Sequence, residues 1–192
     1  MDTTTVLLCG VGGQGTILAA DILAKTAAQS GYDVKLSEIH GMAQRGGSVT
    51  TIVRFGSKVY APVTDPGCVD ALVSFELLEA IRYRHFLKAN GALFVNDELI
   101  EPLSVATGKR ELTINPREEL IDAGAHLIEA TKIALSVSSP RSANIVLMGA
   151  LSVALPFDKT TWEEVIAHRV PPKTIEANLE AFNLGAQSAL SS

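Results

Sequence analysis

The sequence predicts an α/β fold: a Rossmann-like, doubly wound, mostly parallel sheet with a β-hairpin insertion and a helical C-terminus. Three observations support this class. Residues 6–9 form a short apolar run that ends in glycine, as a buried parallel strand does. A glycine-rich turn and a helical pattern follow directly, which is how a doubly wound sheet begins. Strand-like and helix-like segments then alternate, and the last third of the chain is helical in pattern.

The first helix and the second strand follow from the spacing of apolar residues. Residues 16–30 predict a helix that Gly31 terminates. Its apolar face consists of Ile17, Ala20, Leu23, Ala24 and Ala27. Residues 33–39 predict the second strand. The first forty residues are therefore expected to form a strand, a glycine loop, a helix and another strand.

A hairpin and a further strand–helix–strand unit are predicted next. Residues 48–55 have strand character, and Gly56 and Ser57 turn the chain into a second hairpin strand at residues 58–60. The elements expected after the hairpin are a strand at 70–75, a helix at 76–87 and a strand at 92–96.

The remaining chain is predicted to be mostly helical. Residues 112–114 and 126–128 are candidates for short strands, with a helical turn at 116–122 between them. Ser142 is placed to cap a helix that extends to Leu155, and residues 171–190 predict a final amphipathic helix. Since no repeat or linker divides the sequence, we expect a single domain over residues 1–192.

Composition excludes several classes of protein. The 192 residues carry 16 Lys+Arg and 21 Asp+Glu, a net charge of −5, without a basic run that would bind nucleic acid. Hydrophobic residues make up 47% and charged residues 19%, which excludes a disordered chain. Two cysteines are too few for a disulfide scaffold or a four-thiolate cluster. Without a basic leader or a membrane-length apolar span, we expect a cytoplasmic protein that does not enter the membrane.

The glycine-rich turn is the first candidate site. Gly10, Gly12 and Gly15 match the pattern G-x-G-x-x-G, in which glycines allow close backbone approach and helix N–H groups attract anions. The candidate cofactor-binding residues here are Gly10, Gly12, Gly13, Gln14 and Gly15. Glu38 stands where a ribose-binding acid would. One interpretation is a stand-alone NAD(P)- or flavin-dependent Rossmann oxidoreductase, or a nucleotide-binding regulator; another is that the glycines only allow the strand and helix to pack.

The second candidate site is the segment HGMAQRGG, which begins at His40. We expect it at the carboxyl edge of the sheet beside the first glycine loop, where open α/β folds bind ligands. Arg45, flanked by Gly46 and Gly47, is predicted to pair with a carboxylate or phosphate, and His40 is a further candidate. The alternatives are a surface arginine and a capping histidine. Asn144 is either a helix cap or a ligand contact, and no histidine or cysteine spacing predicts a metal site.

Two stretches taken together resemble a known family. They are residues 6–15, VLLCGVGGQG, and residues 38–49, EIHGMAQRGGSV. Both are similar to the gamma-type domain of 2-oxoacid:ferredoxin oxidoreductases. The resemblance continues through residues 96–102, 144–149 and the closing helix at 176–182, so it covers nearly the whole chain. The segment HGMAQRGG is most similar to the branch that acts on indolepyruvate.

The resemblance implies the oxidative decarboxylation of a 2-oxoacid, such as indolepyruvate or another arylpyruvate, to an acyl-CoA with reduction of ferredoxin. It implies thiamine diphosphate, Mg and [4Fe–4S] clusters, which would belong to a large partner subunit. This chain has no Gly-Asp-Gly segment, and its two cysteines are too few to hold a cluster. The chain alone would then bind no cofactor and be inactive, with coenzyme A as co-substrate of the complex. Arg45 and His40 would serve catalysis. The residues expected to face the partner's active site or the coenzyme A path are Gly10, Gly12, Gly13, Gln14, Gly15, Gly46, Gly47 and Asn144.

Overall fold

The computed structural model describes residues 3–40, 47–109 and 111–191. The strands are β1 (Thr4–Val11), β2 (Asp33–His40), β3 (Ser48–Gly56), β4 (Val69–Ser74), β5 (Leu87–Asn96) and β6 (His126–Ile128). The helices are α1 (Thr16–Gln29), α2 (Leu77–Tyr83), α3 (Leu103–Ala106), α4 (Pro116–Asp122), α5 (Ala130–Ser136), α6 (Ala143–Ser152), α7 (Lys159–Arg169) and α8 (Ile175–Leu190). Short 3₁₀ turns lie at Arg84–Phe86 and Pro172–Thr174.

The six strands form one sheet in the order β2-β3-β1-β4-β5-β6. The pairs β1–β4, β4–β5 and β5–β6 are parallel, whereas β3 is antiparallel to both β1 and β2. Five strands therefore point in one direction and β3 alone opposes them. The predicted α/β class with a mostly parallel sheet is confirmed.

The hairpin is formed by β2 and β3, so the prediction of a hairpin strand at residues 58–60 is wrong. That segment is not a strand; instead the Asp33 carboxylate accepts a hydrogen bond from Val59 N at 2.9 Å, and Arg54 donates to the carbonyl of Ala61 at 2.9 Å. Gly56 and Ser57 do turn the chain, but a turn signal does not specify which strand pairs with β3. Residues 112–114 are not a strand either.

Helices cover both faces of the sheet, as a doubly wound fold requires. One face is covered by α1, α5, α6, α7 and α8, which contribute most of the larger apolar core. The other face is covered by α2 and α4, which pack on a smaller core that includes Leu72 and Leu93. Cys9 points into this smaller core and is buried, whereas Cys68 is exposed just before β4.

Helices α6 and α8 cross at two glycines. A Cβ atom on Gly149 would lie 2.0 Å from the carbonyl oxygen of Phe182, and one on Gly185 would lie 2.0 Å from that of Val146. No side chain fits at either position, so the two backbones are in direct contact. This crossing fixes α6 against the sheet and thereby places its N-terminus.

The N-terminus of α6 differs from the prediction in one respect. Ser142 precedes the helix, but its side chain makes no capping hydrogen bond; it donates to Oδ1 of Asn178 at 2.8 Å. The hydroxyl therefore joins α6 to α8 and leaves the first turn of α6 without a serine cap.

Candidate functional site

The glycine loop after β1 is fixed by the side chain of Gln14. Gly13 and Gly15 have φ values of +106° and +81°, which favour glycine. The amide of Gln14 folds back, accepting from Val11 N at 2.8 Å and donating to the carbonyl of Phe75 at 3.0 Å. A Cβ atom on Gly10 would lie 2.7 Å from that amide oxygen, so the Gln14 side chain can occupy this position only because residue 10 is glycine. Gly10 and Gln14 therefore shape the loop from inside.

The loop leaves two backbone donors available at the start of α1. The N–H of Gly12 donates to Gly47 and that of Gln14 to Val11, but the N–H groups of Gly13 and Gly15 have no acceptor among the described residues. Gly15 is the N-cap of α1, which has no side-chain cap and no acidic residue in its first turn. Such a helix end attracts an anion.

The two predicted loops meet at one hydrogen bond. Gly12 N donates to the carbonyl of Gly47 at 2.9 Å, which places the end of the second segment beside the first at the carboxyl edge of β1. His40 closes β2, although its side chain lies outside the described residues. Arg45 and Gly46 also lie outside them, so their predicted roles stay predictions.

Asn144 lies against the glycine loop although 129 residues separate it from Gly15. Its Nδ2 donates to the carbonyl of Gly15 at 3.3 Å, and its Oδ1 accepts from Ile145 N at 2.9 Å. Asn144 is 3% exposed and lines a cleft with the loop. The arrangement supports the capping role directly and leaves ligand contact as a prediction.

The cleft has a volume of about 490 Å³ and lies where β1, β4 and β5 end. Its far wall is an ordered polar group that sequence reasoning missed. Nδ2 of Asn96 donates to Glu98 at 2.9 Å, and the Thr131 hydroxyl donates to the same carboxylate oxygen at 2.8 Å. Oδ1 of Asn96 accepts from Ala130 N at 3.0 Å. The polar run directly after β5 was the sequence signal for this wall.

Arg141 was also missed. It lies at the rim of the cleft just before α6, is exposed, and has no hydrogen bond or ion pair with another described residue. The cleft thus combines the uncapped start of α1, an oriented carboxylate at Glu98 and an available guanidinium. It can hold a ligand that carries both anionic groups and hydrogen-bond donors.

A second polar group lies behind the meeting point of the two loops. The buried carboxylate of Glu79 accepts from the Ser48 hydroxyl and pairs with Nε of Arg82 at 2.8 Å. The Glu76 carboxylate accepts from Leu78 N at 2.9 Å and caps α2. Burial raises the pKa of the Glu76 carboxyl, against the opposing effect of the N–H groups that it accepts. Ser48 follows Gly47, so Glu79 anchors the start of β3.

The strand order argues against a dinucleotide site of the ordinary kind. Glu38 lies on β2, and β3 separates β2 from β1, so Glu38 is two strand spacings, about 9.5 Å, from the glycine loop across the sheet. In a Rossmann site the ribose-binding acid lies on the strand that neighbours the glycine loop. The stand-alone NAD(P)- or flavin-dependent interpretation is therefore not favoured.

The described residues contain no group of three His, Cys, Asp or Glu side chains placed to hold a metal ion. Cys9 is buried and Cys68 exposed, so these thiols do not fit a cluster that takes four thiolates. Within the described ranges no helix is both long and apolar enough to cross a bilayer.

Comparison with known proteins places the chain in a family. The family described as pyruvate ferredoxin/flavodoxin oxidoreductase matches residues 5–188. Indolepyruvate oxidoreductase subunit IorB of Thermococcus kodakarensis is 39% identical over 196 aligned residues, which cover 98% of this chain and 97% of the relative. This similarity confirms the resemblance inferred from the sequence.

Solved structures have the same fold. The gamma subunit of a keto/oxoacid ferredoxin oxidoreductase from Geobacter sulfurreducens has a TM-score of 0.71 and 26% identity, with 98% of this chain and 99% of that one covered. The 2-oxoglutarate:ferredoxin oxidoreductase of Magnetococcus marinus has a TM-score of 0.78 at 24% identity, over 100% of this chain and 32% of that one. The chain therefore belongs to the pyruvate ferredoxin/flavodoxin oxidoreductase family, as a subunit of an oxidoreductase with a 2-oxoacid donor and ferredoxin as acceptor.

Proposed function

We propose that this chain is the accessory catalytic subunit of a cytoplasmic 2-oxoacid:ferredoxin oxidoreductase that acts on indolepyruvate or another arylpyruvate. The complex decarboxylates the 2-oxoacid, transfers the acyl group to coenzyme A and passes two electrons to ferredoxin. A large partner subunit holds thiamine diphosphate, Mg and the [4Fe–4S] clusters. Support for the arylpyruvate comes from the IorB relative, whose name gives indolepyruvate as its substrate.

The observation that carries the proposal is a cleft with only part of the required chemistry. Its described lining offers backbone N–H groups, amides, Glu98 and Arg141, which bind and orient a ligand. The described residues include no metal-binding group, and the two cysteines cannot hold a cluster. In this proposal, decarboxylation and electron transfer use groups that another chain supplies.

In this proposal the chain's own residues bind and position coenzyme A. The Magnetococcus marinus enzyme, which shares the fold, was solved with 2-oxoglutarate, coenzyme A and succinyl-CoA bound. Here the N–H groups of Gly13 and Gly15 donate to an anionic group of coenzyme A at the start of α1. Gly10, Gly12, Gln14 and Asn144 shape that loop. Arg45 and His40 serve catalysis in this proposal, and Gly46 and Gly47 follow Arg45 in the sequence.

Co-expression tests the proposal. The purified chain alone should be colourless and inactive with 2-oxoacid, coenzyme A and a viologen dye as electron acceptor. Co-expression with the large subunit should yield a brown, oxygen-sensitive complex with arylpyruvate activity and an interface above about 2,000 Å². Equal activity with pyruvate, 2-oxoglutarate and indolepyruvate would remove the substrate assignment. Decarboxylating electron transfer by the isolated chain would remove the subunit role.

The alternative function, a stand-alone dehydrogenase, is tested by the binding of dinucleotides. Titration of the purified chain with NAD(H), NADP(H) or FAD should give no saturable signal below about millimolar, which corresponds to roughly −4 kcal/mol of binding free energy. Micromolar binding of any of the three would favour the dehydrogenase instead.

A further inference from the structure

A second cleft adjoins the first and shares Arg141 and Asn144 with it. Its volume is about 500 Å³, and it lies between the N-terminus of α6 and the turn that precedes α8. The residues that line the second cleft are Leu18, Ser138, Ser139, Pro140, Arg141, Ser142, Asn144, Val170, Pro171, Lys173, Thr174 and Asn178. No acidic side chain belongs to this lining, although the whole chain carries a net charge of −5.

Two basic side chains of the second cleft are available for a ligand. Arg141 and Lys173 are exposed, and neither has a hydrogen bond or ion pair with another described residue. Other basic residues behave differently: Arg169, for example, pairs with Asp21, and Lys159 pairs with Glu163. Two unpaired cations at one acid-free cleft produce a local positive potential that attracts an anion.

The end of α6 adds to this potential. The helix has 10 residues, its N-cap Ser142 makes no capping hydrogen bond, and its first turn has no acidic residue. The Asn144 amide accepts from Ile145 N, but it carries no charge, so no anionic group of the described lining offsets the positive end of the helix at the cleft. The wall behind it is fixed, because the Ser142 hydroxyl donates to Asn178 at 2.8 Å and Nδ2 of Asn178 donates to the carbonyl of Thr174 at 2.7 Å. Arg141 and Lys173 are therefore attached to two elements that are hydrogen-bonded together.

The two clefts suit different anionic groups. The first offers backbone N–H groups of a glycine loop, which suit a diphosphate. The second offers an arginine fork and a lysine ammonium, which suit the more concentrated charge of a phosphate monoester, close to −2 at neutral pH. Coenzyme A carries both a diphosphate and a 3′-phosphate monoester, and it is the phosphorylated ligand that the proposed function assigns to this chain.

We propose that Arg141 and Lys173, at the N-terminus of α6, form a subsite for the 3′-phosphate of coenzyme A. The inference rests on the proposed function for the identity of the ligand. It assigns to this chain the discrimination between coenzyme A and 3′-dephospho-coenzyme A. Neither residue takes part in the chemistry of the reaction; both set the affinity for the acyl acceptor.

Steady-state kinetics of the assembled complex test this subsite. Lys173→Ala, which changes the second cleft alone, should raise KM for coenzyme A about tenfold, a change of roughly 1.4 kcal/mol, while kcat and the KM for 3′-dephospho-coenzyme A stay the same. Arg141 borders both clefts, so Arg141→Ala should raise both KM values, and the KM for coenzyme A by the larger factor. Lys159→Ala is the matched control, since it removes an equal charge from α7 outside both clefts. An equal rise in KM for both acceptors, or no rise, overturns the proposal.

A binding measurement separates this proposal from the proposed function. The same complex should bind adenosine 3′,5′-bisphosphate more tightly than adenosine 5′-monophosphate, and Lys173→Ala, which changes the second cleft alone, should weaken that preference about tenfold. If the complex lacks 2-oxoacid activity, or does not form, the proposed function fails, and the titration on the complex or on the purified chain still decides the subsite. Equal binding of the two nucleotides by the wild-type protein overturns the subsite while leaving the proposed function intact.

Discussion

The two sides of β1 use the carboxyl edge of the sheet differently. On the parallel side, Phe75 just after β4 and Asn96 at the end of β5 line the first cleft, and the start of α6 borders it. On the antiparallel side, β2 ends at His40 and the chain returns to β3 through residues 41–47. One side is a wall fixed by buried contacts, whereas the other carries the predicted catalytic residue, Arg45, between two strands. Stability and catalysis should therefore respond to different substitutions.

The largest loss of stability is expected on the parallel side, at the crossing of α6 and α8. Gly149→Ala places a Cβ atom 2.0 Å from the carbonyl oxygen of Phe182, so the helices must separate. We expect the free energy of unfolding to fall by about 3 kcal/mol or more, measured by urea denaturation. Gly124→Ala is the control: nothing lies within 4 Å of its Cβ, and only its φ of +77° opposes alanine, at about 1–2 kcal/mol. A smaller loss at Gly149 than at Gly124 would contradict the tight crossing.

The largest loss of activity is expected on the antiparallel side. Arg45→Ala removes a charge-assisted contact worth roughly 1.5–3 kcal/mol, so kcat/KM of the assembled complex should fall about ten- to a hundredfold. The urea midpoint of the chain should stay the same. Lys35→Ala on β2 is the matched control, because it removes only a surface pair with Asp33. Wild-type kinetics in a folded Arg45→Ala complex would make Arg45 an ordinary surface residue.

A moderate loss of stability is expected at the start of α2, the helix that follows β4. Glu76 is 1% exposed and accepts the Leu78 and Glu79 N–H groups, so Glu76→Ala leaves one buried and one partly buried donor unpaired. The free energy of unfolding should fall by about 1–2 kcal/mol. Asn115→Ala, which removes a weaker cap at 3.5 Å from Glu118 N, should cost about 0.5 kcal/mol. Urea midpoints that rank these two caps in the reverse order would count against the cap at Glu76.

The smallest effect on stability is expected at Asp33 on β2, the edge strand of the antiparallel side. The Val59 N–H and the Lys35 ammonium lower the pKa of Asp33 from 3.8 to about 2. Because the folded value lies below the ordinary one, the stabilisation is complete above about pH 4 and is lost as the pH falls towards 2. Asp33→Asn should be less stable than wild type at pH 6, and the difference between the two urea midpoints should shrink by pH 2.5. A difference that does not change with pH would remove the linkage to this carboxyl.

Local sequence patterns predicted the helices and strands better than they predicted which strands lie next to each other in the sheet. The helix at residues 16–30, the turn at 116–122 and the strand at 126–128 follow from spacing within one segment, and the structure contains them as α1, α4 and β6. The insertion of β3 between β1 and β2 could not be predicted in this way. It depends on pairing between residues such as Leu7 and Ile52, 45 positions apart, for which a single sequence gives no signal.

The candidate site shows the same division. The general location of the second segment beside the first loop was predictable, since both segments follow strands of equal direction. The particular hydrogen bond between Gly12 and Gly47 was not, because it lies directly beyond the pairing of Val11 with Ser48 in β1 and β3. The contact between Asn144 and Gly15 was not, because the crossing of α6 and α8 determines it. Arg141 and Lys173 each look like an isolated surface cation in the sequence. Only the packing of α6 against the turn before α8 brings them to one cleft.

The two thiols make the chain suitable for site-specific labelling without any substitution. Burial raises the pKa of the Cys9 thiol, which keeps it protonated and shielded from maleimides, whereas Cys68 is exposed. Cys68 precedes β4, whose opposite end borders the cleft about 20 Å away. A fluorophore or spin label on Cys68 therefore lies beyond contact distance of the cleft and can report the docking of another subunit by energy transfer or dipolar spectroscopy.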